Sequence, residues 1–373
     1  MQYSRSLLMV LFYLLTLTPM AVIQASDLRI YGFADIVGSQ STSPYTLGAI
    51  GNTDRYITLD PESRLGLNLS SDLGGDEFRF AGQLLAKGND EGSYELSADW
   101  IFVTYKYTDD FSIRVGRQIN PIFLYSEQID VGFTYLWVRL PAEVYETFPV
   151  KSFNGASLLY STAIGDYRFQ AQIFGGAGDV SIDQVNGKVY GAAQNTRGVE
   201  FLLSGDNMKF HITYIGTNAD GTLTTYSTGP SGPPTVTLID FGTFHVVSSG
   251  GSVDFEKFFF ATEATRALVE GGGYVRSFTG AYASLGYHIS PKLTPYLTFA
   301  WQGSLNGLAY MFPDPSVSTS TKKDQHSFML GVNYKATPSL ALKGEYMRTQ
   351  QNYEDSLKSY GANTYTVAMD IIF

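Results

Sequence analysis

Cysteine is absent from all 373 residues of the chain. Without thiols there is no disulfide framework, and neither a thiolate metal site nor a thiol nucleophile is available. Basic residues are also in deficit, since 25 Lys and Arg face 35 Asp and Glu, which leaves a formal net charge of −10. This acidic balance disfavours nucleic acid as a partner.

Long apolar runs are scarce as well, and the one compact run lies at the amino terminus. Arg5 precedes the apolar stretch Leu7–Leu17, and small residues follow up to Ala25. This layout is typical of a secretory signal peptide, so we expect 1–25 to be removed and 26–373 to form the mature chain, with a net charge of −11. A retained signal anchor is the competing interpretation. After this segment no apolar run reaches the roughly 18 residues that a spanning helix needs.

Sequence patterns of catalysis and cofactor binding are missing too. No P-loop pattern and no EF-hand ladder occurs, so we expect no cofactor and no metal site. The four histidines are His211, His245, His288 and His326. None is spaced to suggest a catalytic dyad or a metal pair, and we interpret them as ordinary polar wall or interface residues. The sequence therefore predicts no enzyme, although a barrel hydrolase with a rim histidine remains an alternative.

Aromatic residues and glycine, by contrast, are abundant, with 26 Tyr, 25 Phe and 38 Gly. The mean hydropathy is −0.04. Both features are typical of a transmembrane β-barrel, in which every second residue faces lipid, aromatic girdles mark the two interfaces and glycine occupies turns. A chain without spanning helices must cross a membrane as a closed barrel, because only helices and barrels satisfy every backbone polar group in lipid.

The last strand shows the alternation most clearly. Apolar residues occupy every second position of this stretch, namely Tyr365, Val367, Met369, Ile371 and Phe373. Because successive side chains of a strand point to opposite faces, this set could meet lipid while Thr366 and Asp370 face a polar interior. A final strand that ends in a carboxy-terminal Phe resembles the assembly signal of outer-membrane barrels, which implies the barrel assembly machinery as a partner.

The same alternation recurs along the mature chain and predicts an all-β fold, a closed antiparallel transmembrane barrel of sixteen strands. Fourteen or eighteen strands are alternative counts, and a soluble β-sandwich is the alternative fold. The sandwich is disfavoured because its strands are usually about 5–6 residues, whereas tilted membrane strands need about 9–11. Tight turns, among them Ser248–Ser252, are expected at the periplasmic end. Long external loops are expected at Ser39–Glu62, Ile119–Ser152, Ala177–Thr196, Thr217–Pro234 and Gly303–Gln325.

Three segments resemble the Gram-negative porin family: Ile30–Asp35 contains a Tyr-Gly-x-x-Asp pattern, Arg114–Gln118 ends in Gly-Arg-Gln, and Phe373 is terminal. The resemblance implies a sixteen-stranded, water-filled barrel in the outer membrane, often homotrimeric, in contact with outer-membrane lipid and lipopolysaccharide. It also implies that the third external loop, Ile119–Ser152, folds inward and narrows the pore.

Charges in that loop and on the predicted wall are the candidate functional residues. The loop set is Tyr125, Glu127, Asp130, Arg139, Glu143 and Glu146, and the wall set is Arg29, Asp35, Arg64, Arg79, Arg114 and Arg168. Opposed charges at a constriction select ions. Loop acids outnumber loop bases, which predicts a mild cation preference, whereas the basic wall favours anions. The loop lacks the Pro-Glu-Phe-Gly-Gly motif of enterobacterial porins, so the sequence does not identify which loop residues line the narrowest part of the pore.

These features predict a passive diffusion channel for small hydrophilic solutes and ions across the outer membrane. Two alternatives belong to other classes. One is a substrate-specific channel with a solute-binding constriction, and the other is an adhesin or receptor barrel with a plugged lumen.

Overall fold

In a computed structural model, the described strands form a single β-sheet that closes on itself. The structure describes residues 25–42, 56–59, 61–89, 93–148, 150–184, 187–225, 235–271, 274–305, 323–353 and 358–373. Each strand pairs antiparallel with the next, and the first pairs with the last. The predicted sixteen-stranded closed barrel is therefore confirmed. Of the predicted signal peptide, 1–25, residues 1–24 lie outside the described residues, and Ala25 is the first residue of the first strand.

The strands are β1 Ala25–Ser41, β2 Arg64–Leu73, β3 Phe78–Gly88, β4 Tyr94–Lys106, β5 Phe111–Ile119, β6 Ser152–Ile164, β7 Tyr167–Gln184, β8 Gly187–Ser204, β9 Met208–Thr225, β10 Thr235–Asp254, β11 Phe258–Gly271, β12 Tyr274–Tyr287, β13 Leu293–Leu305, β14 Lys323–Thr337, β15 Leu340–Tyr353 and β16 Lys358–Ile372. A short helix, α1, spans Ala142–Tyr145, and 3-10 turns span Ser126–Gln128 and Gly132–Thr134. None of the helices among the described residues has the length and apolarity to cross a bilayer.

The outer face of the barrel is apolar. On β16, Tyr365 and Val367 are 54% and 66% exposed, while Thr366 between them is buried. On β7, Ile173 is exposed and the neighbouring Gln172 is buried. Since the closed ladder pairs the strand backbones with one another, the exposed face can lie in lipid without unsatisfied peptide groups.

Aromatic pairs mark the end of the barrel where the strands are joined by short turns. The pairs are Phe78 with Tyr105, Phe111 with Tyr160, and Phe258 with Tyr287, with ring centroids 4.8, 4.8 and 5.2 Å apart. Aromatic rings at one level of the wall are typical of a membrane interface. The turns that follow this level include Gly165-Asp166 and residues 205–207.

Two predicted external loops are wrong where the structure describes them, namely Ala177–Thr196 and the first part of Thr217–Pro234; residues 185–186 and 226–234 lie outside the described residues. β7 and β8 stay paired as far as Gln184 and Gly187, and β9 stays paired with β10 as far as Thr225. Large apolar residues are sparse in the sequence of these stretches, so the apolar alternation is weak there. Strand pairing depends on the backbone and continues past it.

The predicted turn at Ser248–Ser252 is also wrong, because this stretch lies within β10 and the turn follows at residues 255–257. The small residues there are required by packing. A Cβ added to Gly250 would lie 2.6 Å from Cβ of Glu263 on the neighbouring strand. Serine and glycine therefore mark a close approach within the wall and not a chain reversal.

The terminal residue closes the ring. The Phe373 N–H donates to the Gly32 carbonyl over 2.9 Å, and the Gly32 N–H donates to the Phe373 carbonyl over 2.7 Å. The Phe373 ring lies over Gly32, where an added Cβ would be 2.7 Å from a ring carbon. The last residue thus takes part in the β1–β16 seam through both backbone and ring.

Candidate functional site

The segment between β5 and β6, residues 120–151, runs through the barrel interior and is here called the inner segment. Its helix α1 packs against β11, β12 and β13. A Cβ added to Gly280 on β12 would overlap the Glu143 carbonyl oxygen, so the α1 backbone lies directly on the wall. Gly132, further back in the segment, donates from its N–H to Asp35 of β1 over 3.0 Å. The segment therefore bridges distant parts of the wall.

Trp137 is the centre of the apolar side of the inner segment and is fully buried. Its ring makes edge contacts with Tyr125 and Tyr282, at centroid distances of 5.7 Å in both cases. Its indole Nε1 donates to Ser284 Oγ over 3.0 Å and to Thr298 Oγ1 over 2.8 Å. The ring fills space while its only polar atom is satisfied by the wall.

The expected polar interior is correct for only part of the ring. Apolar side chains of the wall meet the inner segment from the lumenal face of strands β9 to β12, among them Ile215, Phe244, Val246, Val269 and Phe278. An apolar core of this kind fills the interior on this side of the barrel. Alternation alone did not reveal it, because an apolar residue on the lumenal face breaks the pattern in the same way as a loop does.

Glu263 on β11 joins the wall to the inner segment. Its carboxylate accepts from the Leu124 N–H over 2.9 Å and from the Tyr145 hydroxyl over 2.8 Å. From the wall, His211 Nε2 lies 2.9 Å away and the Ser248 hydroxyl lies 3.1 Å away. Four partners around one buried carboxylate satisfy its oxygens within the interior.

Asp130 is the centre of the charged side of the segment. Its carboxylate pairs with Lys151 and lies 3.4 Å from Arg64 Nη1 on β2. Arg64 also donates from Nε to Asp35 over 2.8 Å, and Lys151 reaches Asp99 on β4 over 2.8 Å. Burial raises the pKa of the Asp130 carboxyl, but Lys151, Arg64 and the nearby Lys87 outweigh burial and lower the pKa to about 2.

Three other predicted loop residues hold the segment against the wall. Arg139 donates from Nη2 to Glu62 over 2.9 Å and to Thr366 on β16 over 2.6 Å. Glu143 is buried and accepts from Gln325 over 3.0 Å and from Ser327. Tyr125 is buried, and burial raises the pKa of its hydroxyl to about 12. These residues fasten the segment to the wall and do not present free charge.

Three predicted wall arginines contact no carboxylate of the inner segment among the described residues. Arg29 and Arg79 both pair with Asp72, at 3.9 and 2.8 Å, near the short-turn end of the barrel. Arg168 donates to Ser161 over 3.3 Å at the same end. The expectation that they oppose the loop carboxylates is wrong, because strand parity gives the face of a residue and not its height in the wall.

Exposed charge remains where the segment faces β3, β5 and β8. The Glu127 side chain is 68% exposed and lies 3.7 Å from Arg114 Nη1 on β5. The Arg114 guanidinium lies over the Phe102 ring at 4.3 Å, and Glu200 on β8 interacts electrostatically with Glu127 and Arg114. Lys87 on β3 and Glu146 are exposed as well. This group contains the accessible charges of the site.

Sequence reasoning missed two wall residues that hold the segment, Glu263 and Lys343. Lys343 Nζ donates to three backbone carbonyls of the segment, those of Gly132, Tyr135 and Trp137, over 2.7, 2.9 and 2.7 Å. The available signal was a charged residue at a lumenal position of a strand. Within the described part of the chain, no group of three or more metal-ligating side chains is placed to hold a metal ion.

Comparison with known proteins identifies one matching family and several similar solved structures. The family described as Gram-negative porin matches residues 11–354. No curated protein matches the sequence. Similar solved structures include outer-membrane expressed OmpT of Vibrio cholerae, at 14% identity and a TM-score of 0.59, with 94% of this chain and 100% of that chain covered. The anion-selective porin from Comamonas acidovorans aligns at 14% identity and a TM-score of 0.56, covering 93% and 99%. Salmonella typhi OmpF in complex with daunomycin aligns at 13% identity and a TM-score of 0.54, covering 93% and 97%.

Proposed function

Since the chain belongs to the Gram-negative porin family and is an outer-membrane channel protein, we propose that it is a passive diffusion porin for small hydrophilic solutes and ions. The aperture is set by the inner segment. The observation that carries the proposal is the unequal filling of the barrel, with an apolar core on one side and exposed charge on the other.

The passage lies along β3 to β8. Trp137, Tyr145 and their neighbours close the side of β9 to β13, where apolar wall residues are buried against the inner segment and polar ones such as Glu263 and Ser284 are bonded to it. On the other side, Glu127, Glu146 and Lys87 are exposed and Arg114 is partly exposed. Hydrated solutes follow polar surface, because an apolar wall cannot replace the hydrogen bonds they lose to water.

Among the described residues, selectivity depends on these accessible groups. Asp130 and Glu143 are buried and bonded, so two of the four loop acids present no free charge to the passage. Glu127 and Glu146, with Glu200 on the wall, face Lys87 and Arg114. The Glu127 side chain is more exposed than that of Arg114, at 68% against 21%, which supports a mild cation preference weakened by the nearby bases.

The proposal includes export, removal of the signal peptide and assembly in the outer membrane. Residues 1–25 are removed as a signal peptide after export, and the barrel assembly machinery recognises the terminal strand. The mature barrels form homotrimers in contact with outer-membrane lipid and lipopolysaccharide. The exposed apolar faces of Tyr365 and Val367 on β16 support contact with lipid.

Single-channel recording of the refolded full-length mature chain in a KCl gradient tests the function. We expect steady conductance proportional to salt and a reversal potential of the cation-selective sign. Glu127→Gln should move the reversal potential toward anion preference, and the shift should shrink at high salt because screening shortens the reach of the charge. Glu256→Gln, at an exposed turn at the short-turn end, is the matched control and should leave the reversal potential unchanged.

Each other outcome favours a different function. Absence of any conductance from folded protein would favour a plugged receptor barrel. Saturable conductance that a particular solute blocks would favour a substrate-specific channel.

A further inference from the structure

We propose that Lys343 on β15 is the positioning residue that holds the inner segment in the shape that sets the aperture. The inference rests on the proposed function, because it concerns the same passage. Lys343 does not line the passage, since its side chain is fully buried. Its effect on permeation therefore passes through the segment.

The ammonium group of Lys343 caps one bend of the segment. Three donors reach the carbonyls of Gly132, Tyr135 and Trp137, and the Asp370 carboxylate on β16 lies 2.9 Å from Nζ. An ammonium has three donors and no acceptor, so this arrangement uses its full capacity. The bend around residue 135 is thereby fastened at three successive points to a strand of the wall.

Few other donors reach the backbone carbonyls of the bend. Its own backbone bonds are the Thr134 N–H to the Val131 carbonyl, at 3.0 Å, and the Tyr135 N–H to the Gly132 carbonyl, at 3.3 Å. Asn333 on β14 adds a donor to the Leu136 carbonyl at 3.2 Å. Without Lys343, the Trp137 carbonyl would lose its donor inside the barrel, and a buried carbonyl without a donor costs on the order of 1–3 kcal/mol. The bend would rearrange to regain partners.

Movement of the bend reaches the passage through Tyr135. The Tyr135 hydroxyl accepts from Arg64 Nη2 over 3.0 Å, and the same guanidinium contacts Asp130. Asp130 lies three residues from Glu127, an exposed acid of the segment. The chain from Lys343 through Tyr135 and Arg64 to Asp130 thus links a buried wall cation to the edge of the aperture.

Gly132 fixes the bend from the opposite direction. Its N–H donates to Asp35, while its carbonyl accepts from Lys343. A Cβ at this position would lie 2.9 Å from carboxylate oxygens of both Asp35 and Asp370. The peptide is held between two acids and one base of the wall, so removal of the base leaves it without the contact that draws its carbonyl toward β15.

The test compares three variants of the full-length mature chain. Lys343→Met keeps a stem of similar length and removes the three donors. The double variant Lys343→Met/Asp370→Asn also removes the carboxylate that the first variant leaves unpaired. Lys335→Met, at an exposed position of the neighbouring strand β14, is the matched control.

We expect both Lys343 variants to form heat-modifiable folded barrels whose open state fluctuates between several conductance levels, with a shifted reversal potential. Hydrogen exchange should accelerate at the amides of residues 131–137, while amides of the strands stay protected. Lys335→Met should show one level and the wild-type exchange pattern. Rescue of a single level in the double variant would overturn the proposal, since it would assign the effect to the unpaired Asp370.

Unchanged exchange at residues 131–137 in Lys343→Met would also overturn it, as would failure of both variants to fold, which would place the role of Lys343 in the barrel itself. Failure of the proposed function is distinct, because then the wild-type barrel would not conduct. Hydrogen exchange would still report on the contacts of Lys343 in that case.

Discussion

At the scale of single residues, Asp130 shows how a buried charge can be tolerated. Its two carboxylate oxygens are divided between Lys151 and Arg64, each of which has a second acid in Asp99 or Asp35. The alternation of charges compensates the cost of removing them from water. This group of five side chains connects β1, β2 and β4 to the inner segment.

Asp130→Asn should lower the free energy of unfolding by about 2–3 kcal/mol, because it removes one member of a buried charged group while Lys151 and Arg64 keep their other partners. The urea midpoint of the folded barrel measures the change. Asp109→Asn, at an exposed turn, is the control and should leave the midpoint unaltered. Equal midpoints for the two variants would contradict the role of Asp130.

The pH dependence of the same site follows from its lowered pKa. Because the pKa of Asp130 is about 2 in the fold and 3.8 in its ordinary state, its stabilisation is fully present above about pH 4 and is lost as the pH falls toward 2. The contribution is about 2 kcal/mol at neutral pH. The wild-type protein should therefore lose more stability than Asp130→Asn between pH 5 and about pH 2, and parallel losses would contradict the assignment.

At the scale of elements, α1 is positioned by the absence of a side chain on β12. The Glu143 carbonyl occupies the space that a Cβ of Gly280 would need. The helix has only four residues, Ala142–Tyr145, too few to be stable by itself. Its position is therefore set by the wall against which it packs.

Gly280→Ala should displace α1 and change the single-channel conductance, while the barrel itself still forms. Gly344→Ala is the matched control, since its added Cβ meets only an ordinary contact 3.8 Å away. Conductance and heat-modifiable gel mobility measure the two effects separately. If Gly280→Ala conducts as the wild type does, the position of α1 does not influence the aperture.

At the scale of the whole molecule, the ring closes where the two ends of the sheet meet. Deletion of Phe373 removes two backbone hydrogen bonds with Gly32 as well as the ring over it. We expect little folded protein in the outer membrane and accumulation of unassembled chain. Phe373→Ala keeps the backbone bonds and separates the two contributions. Normal levels of the deletion variant would contradict a role of the terminus in assembly.

Orientation is a second property of the whole barrel. Single cysteines are informative because the chain has none of its own. A cysteine at Asn218, near the long-loop end, should react with an impermeant reagent on intact cells, and one at Asp206, in a short turn, should react only after the membrane is opened. The reverse pattern would mean that the barrel is inserted the other way round.

The amino-acid sequence by itself predicted the sixteen-stranded closed barrel and the lipid-facing side of strands such as β16. Each strand carries its own two-residue alternation, as in Thr366 and Val367, so local pattern was sufficient for the wall. The closure between β1 and β16 also followed, because a sheet in lipid cannot leave an edge unpaired. The extent of β7 to β10 did not follow from the sequence, since strand pairing continues beyond the apolar alternation.

Only the tertiary structure decided what the inner segment does. Of its predicted charges, Asp130 and Glu143 are buried by partners on strands far away in sequence, and Glu127 is left exposed. The residues that hold it, Glu263 and Lys343, show in the sequence only a charge at a lumenal position of a strand, which does not reveal what the charge binds. Contacts of this kind depend on the height at which each lumenal side chain lies in the closed wall, and that height is set by strand register around the ring rather than by the pattern within any one strand.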